Sequence, residues 1–426
     1  MSQILYIVIA ILAFGIIVII HELGHFCAAK LNGILVEEFS LGMGPKIFGI
    51  KGKETQYNIR VLPFGGYVKM LGEDSAVESE RSFSSKAPWR KLIVVFAGPF
   101  VNVVTALLLF TVISLTSESG IVLNSVGSFS LNSPAQQAGM RLGDEIISVN
   151  GSKLFTYTDL EIELMNSSGE EMKLTLNSQG VKKDIYVTPK KEIKYIIGFN
   201  PVNENGVVLP KIATLMDDYP AKDAGLLVGD VIVGVNDKII LNYEDFSDFM
   251  AHNTGESIDL KVDRNGDILT FIIEPKKLET NYSIGIIPKY EKHPTILLAF
   301  KYGVNQSMSM FKQIFNFFGT IFKGKAKMNE VGGAISLIRI TSVAAEQGVV
   351  SLVGIIAFIN LNLGIMNILP FPALDGGQIM IFLYEIISRR KANQKFVENL
   401  NYFGYMFLMA LMVLMIFKDI FFPIRF

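Results

Sequence analysis

The sequence predicts a polytopic α-helical membrane protein with four transmembrane helices and a large α+β region inserted between the second and the third of them. Half of the 426 residues are hydrophobic and the mean hydropathy is +0.39, which is high for a soluble protein of this size. The apolar residues are concentrated in a few uncharged runs, and an internal repeat lies between the second and the third run. The runs predict the crossings, and the repeat predicts the inserted region.

Four uncharged runs are the candidate crossings. A helix needs about 20 apolar residues to cross about 30 Å of hydrocarbon. Three runs reach that length, and the fourth reaches it if its flanks lie among the lipid headgroups. The runs are Ser2–Ile20, Leu92–Leu115, Val349–Leu374 and Tyr402–Phe417. With their flanks they predict transmembrane helices over 1–31, 91–115, 348–375 and 399–422.

The first run could also be read as a cleaved signal peptide. Such a peptide begins with basic residues and has a short apolar core. No Lys or Arg precedes Lys30, and the apolar run is longer than such a core. A retained helix is therefore favoured.

Lys and Arg in the short loops predict the orientation. The segments 32–90 and 376–398 are rich in these residues, and such loops usually stay in the cytoplasm. Both termini and the region 116–348 are therefore predicted to face outward. The formal net charge of −1 argues against a nucleic-acid partner.

The inserted region contains two copies of one pattern, Pro134–Asn150 and Pro220–Asn236. Each copy reads as a short helix closed by a glycine, a Gly-Asp turn and a strand of alternating polarity. The pattern resembles the core of bacterial PDZ domains and predicts two tandem PDZ-like domains over 116–198 and 199–290. The sequence leaves open whether they bind peptides or act as spacers.

The stretch 295–327 predicts an amphipathic helix in the membrane surface. Lys301, Lys312 and Lys323 recur every eleven residues, about three helical turns, and phenylalanines occupy a neighbouring face. A fifth crossing is the alternative. It is disfavoured because it would move the end of the third crossing to the opposite side of the membrane.

The candidate chemistry begins with His21, Glu22 and His25, which form an HExxH pattern at the end of the first run. Two histidines four residues apart lie on one face of a helix and can bind one Zn²⁺, while the intervening glutamate can act as general base on the metal-bound water. A transporter would also place polar residues in its crossings, and a membrane adaptor would use the PDZ-like modules. Neither needs this pattern.

A catalytic zinc site usually has three protein ligands, and Asp375 is the candidate for the third. It follows the third uncharged run, after Pro370 and Pro372 and before two glycines. The first and third runs are both predicted to lead inward. Their ends, with the histidine pair and Asp375, should therefore lie near the same cytoplasmic edge.

These motifs, together with Phe96–Asn102 and the Asn-x-x-Pro-x-Pro-x-x-Asp-Gly-Gly ending at 367–377, resemble the site-2 protease family, in its bacterial RseP/RasP-type branch of intramembrane zinc metalloproteases. The resemblance covers nearly the whole chain. It implies that His21, His25 and Asp375 bind Zn²⁺ and that Glu22 is the catalytic base.

The resemblance also implies a substrate site and a cellular setting. Asn362 and Asn367 match positions beside the substrate, and Arg60–Met70 matches a membrane-associated β-hairpin whose Gly65 and Gly66 suit pairing with an unwound substrate. The expected substrates are membrane proteins such as a pre-cut anti-sigma factor or a remnant signal peptide. The expected location is the bacterial inner (plasma) membrane, with the active site near the cytoplasmic face.

Overall fold

The structure is a computed structural model that describes residues 3–73, 77–117, 120–130, 132–204, 207–324 and 332–422. The chain forms two compact units. The first combines Met1–Ile121 with Glu291–Phe426, and the second is the inserted segment Val122–Tyr290. The first unit contains all the candidate crossings.

The first unit begins with a long helix, a pair of strands and a second long helix. These are α1 (Gln3–Leu31), β1 (Val36–Lys51), β2 (Gln56–Met70) and α2 (Pro88–Thr116). Pro88 occupies the first turn of α2, where its missing N–H costs nothing. The resemblance predicts a hairpin at 60–70, but the structure places these residues in the single strand β2, which forms a hairpin with β1.

The two halves of β1 and the two halves of β2 pair as four segments of one small sheet. Phe39, in the first half of β1, lies opposite both Val68 and Tyr57, whereas Ile50, in the second half, lies opposite Tyr57 alone. The first half of β1 is therefore flanked by both halves of β2. Within the described residues, the second half of β2 is one edge of this sheet.

The inserted unit contains two sheets of the same construction. Its strands are β3 (Ile121–Phe129), β4 (Glu145–Val149), β5 (Ser152–Lys153), β6 (Met172–Ser178), β7 (Val181–Val187), β8 (Lys190–Ile196), β9 (Phe199–Glu204), β10 (Val207–Leu215), β11 (Val231–Val235), β12 (Lys238–Ile239), β13 (Ile258–Arg264), β14 (Asp267–Ile273), β15 (Lys276–Ser283) and β16 (Ile286–Glu291). Its helices are α3 (Pro134–Gln137), α4 (Tyr157–Met165), α5 (Pro220–Asp223) and α6 (Tyr243–His252).

The second module is nested within the first, which corrects the predicted border between 198 and 199. One sheet has the order β16-β3-β4-β6-β7 and the other β14-β13-β11-β10-β9, while β8 pairs with β15. The last strand of the predicted second domain thus completes the first sheet. The sequence hides this exchange because the two strand entries, Ile197-Gly-Phe and Ile284-Gly-Ile, are nearly equivalent.

The chain then returns to the first unit with five helices. These are α7 (Ile296–Phe322), α8 (Ala334–Gln347), α9 (Val349–Ile368), α10 (Asp375–Ser388) and α11 (Gln394–Phe421). Among the described residues, four helices are long and apolar enough to cross a membrane: Ile4–Leu31, Pro88–Thr116, Val349–Ile368 and Gln394–Phe421. They coincide with the four predicted crossings.

Several boundaries differ from the sequence prediction, and α11, for example, begins at Gln394 and not at 399. The third crossing ends at Ile368 rather than 375, because Pro370 and Pro372 cannot continue a helix. The predicted loop 376–398 is largely helical, since α10 occupies Asp375–Ser388. The apolar residues of α10 were not recognised as a helix because they are too few for a crossing.

Small residues bring the long helices together around α2. A Cβ placed on Gly364 of α9 would lie 2.9 Å from the carbonyl oxygen of Pro99, and one on Gly303 of α7 would lie 2.8 Å from Oγ1 of Thr111. Close backbone approach at such positions is a common means of helix association in membranes. α7 is thus packed against α2, and its predicted position in the membrane surface stays a prediction.

Candidate metal centre

Two glycines allow α1 and α2 to approach closely beside the HExxH motif. A Cβ on Gly24 would lie 2.4 Å from the carbonyl oxygen of Ala97, and a Cβ on Gly98 would lie 2.3 Å from Nε2 of His25. Both separations are too short for any other residue. The histidine pair is therefore enclosed by the backbone of α2, and both imidazoles are buried.

The structure brings Asp375 to the histidine pair across 350 residues of sequence. Its Oδ2 lies 3.1 Å from Nε2 of His21 and 3.5 Å from Nε2 of His25, and the two Nε2 atoms are 3.2 Å apart. This is the one group of three metal-binding side chains found among the residues that the structure describes. Asp375 reaches the pair because the chain breaks after α9 and α10 begins at this residue.

The three atoms fit a tetrahedral zinc site. Zinc–nitrogen and zinc–oxygen bonds of about 2.0–2.2 Å give a tetrahedron with edges of about 3.3–3.6 Å, close to the separations observed. Oδ2 of Asp375 is buried and has no hydrogen-bond partner. Two imidazole nitrogens and a carboxylate oxygen that converge this closely are suited to share a cation.

The second nitrogen of each imidazole also has a partner. Nδ1 of His25 is 2.9 Å from the carbonyl oxygen of Val94, so Nδ1 carries the proton and Nε2 is free to bind metal. Nδ1 of His21 is 3.3 Å from the side-chain nitrogen of Asn102. The buried Oδ1 of Asn102 has no partner, and a 180° rotation of the side-chain amide lets Oδ1 accept a hydrogen bond from Nδ1–H of His21. Such partners orient metal-binding histidines.

Glu22 lies beside the edge of the small sheet. A Cβ on Gly66 would be 3.1 Å from Cγ of Glu22 and 2.9 Å from the carbonyl oxygen of Ser40. Gly65 adopts a φ of +81°, a left-handed conformation that favours glycine. Gly66 thus lets the backbone of β2 pass close to the predicted base.

The two predicted asparagines differ in position. The side-chain nitrogen of Asn367 lies 3.4 Å from Nε2 of His21, within the metal centre. Asn362 donates to the carbonyl oxygen of Phe358 in its own helix and not to a metal-binding residue. Only Asn367 is brought to this centre.

Sequence reasoning assigned no role to Asn102 or Gly98, although both lie in the Phe96–Asn102 motif. The available signal was a lone amide within an uncharged run, since a polar side chain in a crossing costs free energy unless it has a partner. The motif was read as a mark of resemblance, and its contact with the histidines appears only in the structure.

Substitution of Gly98 tests the enclosure of the pair. In Gly98→Ala, the added methyl group collides with Nε2 of His25, so we expect the purified protein to lose most of its bound metal. Gly354→Ala is the matched control, because a Cβ on Gly354 meets nothing within 4 Å. Elemental analysis of both variants measures the effect. Equal metal content in the two would contradict this geometry.

The chain is similar to known proteins over nearly its whole length. The model of Peptidase family M50 matches residues 9–411. A chain of Clostridium acetobutylicum named as a candidate zinc metalloprotease is 36% identical over 420 residues, 99% of this chain and 98% of its own. The probable protease eep of Enterococcus faecalis is 31% identical over 96% of this chain and 97% of its own. The regulator of sigma E protease of Salmonella typhi is 28% identical over 96% of this chain and 97% of its own.

Proposed function

The chain belongs to Peptidase family M50 and is a zinc metalloendopeptidase, and we propose that it cleaves membrane proteins within their transmembrane segments. The observation that carries this proposal is the convergence of His21, His25 and Asp375 between helices long enough to cross a membrane. A peptidase centre with this placement can reach peptide bonds that soluble peptidases cannot.

His21, His25 and Asp375 are the proposed zinc ligands. Zinc bound there supplies Lewis acidity for the scissile carbonyl and for water. Glu22, between the two histidines in sequence, takes the proton from the attacking water and delivers it to the leaving amine. Asn102 and the carbonyl group of Val94 hold the two imidazoles in the tautomer that leaves Nε2 free.

The edge of the small sheet is the proposed site of substrate pairing. A transmembrane helix hides its peptide bonds in internal hydrogen bonds, so it must unwind before cleavage. The second half of β2, at Gly65 and Gly66, offers edge-strand groups that can replace those bonds. Since Gly66 lies beside Glu22, a strand added there would pass close to the base.

A polar cluster within the sheet holds this edge in place. Glu38 accepts hydrogen bonds from Tyr67 (2.7 Å), Ser40 (2.7 Å) and Arg60 (2.6 Å). Burial raises the pKa of Glu38, but these hydrogen bonds outweigh it and lower the pKa to about 2. Glu38 therefore stays ionised at neutral pH and ties Tyr67, next to Gly66, to the rest of the sheet.

The proposed substrates are single-pass membrane proteins already shortened by another protease. A relative named for regulation of sigma E favours a pre-cut anti-sigma factor, and a remnant signal peptide has the same form. The proposed location is a bacterial inner membrane, with both termini and the inserted unit outside and the metal centre near the cytoplasmic face. The Lys and Arg distribution supports this orientation.

Cleavage of a reconstituted substrate tests the proposal. The purified protein in liposomes should cut a single-pass protein with a shortened outer domain, and mass spectrometry should place the cut inside the apolar segment. Chelation of zinc should stop the reaction, and added Zn²⁺ should restore it. Cleavage only in loops outside the apolar segment would contradict the proposal.

A further inference from the structure

A cationic cavity of about 480 Å³ lies between the start of α2 and the end of α10, apart from the metal centre. Five cations line it together with one carboxylate. The cations are Lys86, Lys91, Arg389, Arg390 and Lys391, and the carboxylate is Glu385. Both sides of the cavity belong to segments whose composition predicts a cytoplasmic position, where the anionic lipids of a membrane also act.

One carboxylate does not neutralise the five cations of the cavity. Glu385 acts electrostatically on Lys91, but in the described part of the chain none of the five cations forms a close ion pair, and four positive charges remain in excess. Glu385 accepts a hydrogen bond of 3.0 Å from the backbone N–H of Ala392. Cations at the end of α10 also favour its helix dipole, but Lys86 and Lys91 are on the opposite wall and serve no such purpose. The cavity therefore presents a net positive charge to an external group.

One of the cations is held in a fixed position. Nζ of Lys91 lies 5.7 Å from the ring centroid of Phe83 and 5.7 Å from that of Phe382, and these two rings pack 6.0 Å apart. Two aromatic faces orient the ammonium group by cation–π attraction. Because Phe83 precedes α2 and Phe382 belongs to α10, this contact joins the two walls of the cavity.

An apolar stripe leads from the cavity along α2. Trp89, which lines the cavity, is followed at helical spacing by Ile93, Phe96 and Phe100, and all four are between 41% and 51% exposed. Exposed tryptophan is typical of the interface between headgroups and hydrocarbon. The stripe continues from there along a helix apolar enough to cross the membrane. A ligand with a charged head and an apolar chain can occupy both features together.

We propose that this cavity binds the phosphate headgroup of an anionic phospholipid, with an acyl chain along the stripe of Trp89, Ile93, Phe96 and Phe100. The positive charge of the cavity favours an anionic phosphate group. The apolar stripe continues from the cavity and can contact an acyl chain, which favours a lipid over free phosphate. The bound lipid joins α2, which encloses the metal centre, to α10, which begins with Asp375. The inference rests on membrane location and not on peptidase chemistry.

The test is lipid retention by the full-length protein. Purified protein in detergent is titrated with phosphatidylglycerol, and native mass spectrometry counts bound lipid. Arg390→Gln combined with Lys391→Gln should weaken binding about 25-fold, because each cation near an anionic headgroup contributes roughly a fivefold gain in affinity. Both side chains are exposed, so the double variant should fold.

Two further variants and two other probes make the result specific. Lys53→Gln with Lys395→Gln removes the same charge from exposed positions outside the cavity and should bind normally, as should the charge-preserving Arg390→Lys with Lys391→Arg. Phosphatidylcholine should bind poorly, and equimolar inorganic phosphate should not displace phosphatidylglycerol. Equal lipid retention by the two Gln double variants, or displacement by phosphate, would overturn the proposal.

Discussion

Glu22→Gln should slow cleavage by several orders of magnitude while leaving zinc bound. Glu22 is within the HExxH pattern but outside the group of His21, His25 and Asp375, so its carboxylate is free to move protons. The amide cannot accept a proton from water. Since general acid–base catalysis contributes about 10²–10⁴-fold, we expect the cleavage rate to fall by about that factor. Single-turnover assays with a reconstituted substrate measure the rate, and elemental analysis measures the zinc.

Glu346→Gln is a matched control for this variant. Glu346 is an exposed residue of α8. Its substitution makes the same chemical change away from the metal centre, so the variant protein should cleave normally. Two results would reject Glu22 as the base. One is a Glu22→Gln protein without zinc, which would make Glu22 a ligand, and the other is near-normal cleavage by that protein.

The sequence was sufficient to predict four long apolar helices and to pair the HExxH motif with Asp375. Crossings are visible because the bilayer demands long uncharged runs, and HExxH is visible because its two histidines share one turn of helix. The link to Asp375 came from the predicted topology, since two helices that are both predicted to lead inward should end at the same face. Each of these inferences depends on local spacing or on counting crossings.

Other features depend on tertiary packing and could not be derived in this way. Asn102 contacts His21 because Gly24 and Gly98 let two helices approach closely, and no spacing along α2 reveals that register. The second module is nested because β16 pairs in the first sheet. The sequence does not show this pairing, because the strands β9 and β16 are both preceded by an Ile-Gly pair. α10 forms where composition indicated a loop, because Ile379, Ile381 and Phe382 join the apolar cluster that contains Val94 and Val95 of α2.

Asp375→Asn should weaken zinc binding and abolish cleavage together. The carboxylate supplies the only negative charge among the three proposed ligands, and a neutral amide is a poor donor to Zn²⁺. Oδ2 of Asp375 is buried and lacks a hydrogen bond, so the side-chain amide of Asn would be buried at this position without binding the metal. We therefore expect a large fall in zinc content after dialysis, in contrast to Glu22→Gln, which should lose activity alone.

Two variants control for size and charge at this position. Asp375→Glu keeps the charge but moves the oxygen by about one bond length, so it should retain part of the zinc with little cleavage. Asp267→Asn, at an exposed position in the inserted unit, should leave both quantities unchanged. Zinc titration with a competing chelator distinguishes these outcomes, because it measures affinity independently of turnover.

Full zinc and near-normal turnover in Asp375→Asn would disprove the His-His-Asp centre. A different third ligand would then be required, and the nearest carboxylates in sequence beyond the first helix are poor substitutes. Glu37 pairs with Lys69 at 3.2 Å, and Glu38 is held by Arg60 and Tyr67 within the small sheet. Since neither is free to approach the histidines, Asp375 is the carboxylate whose position matches the role.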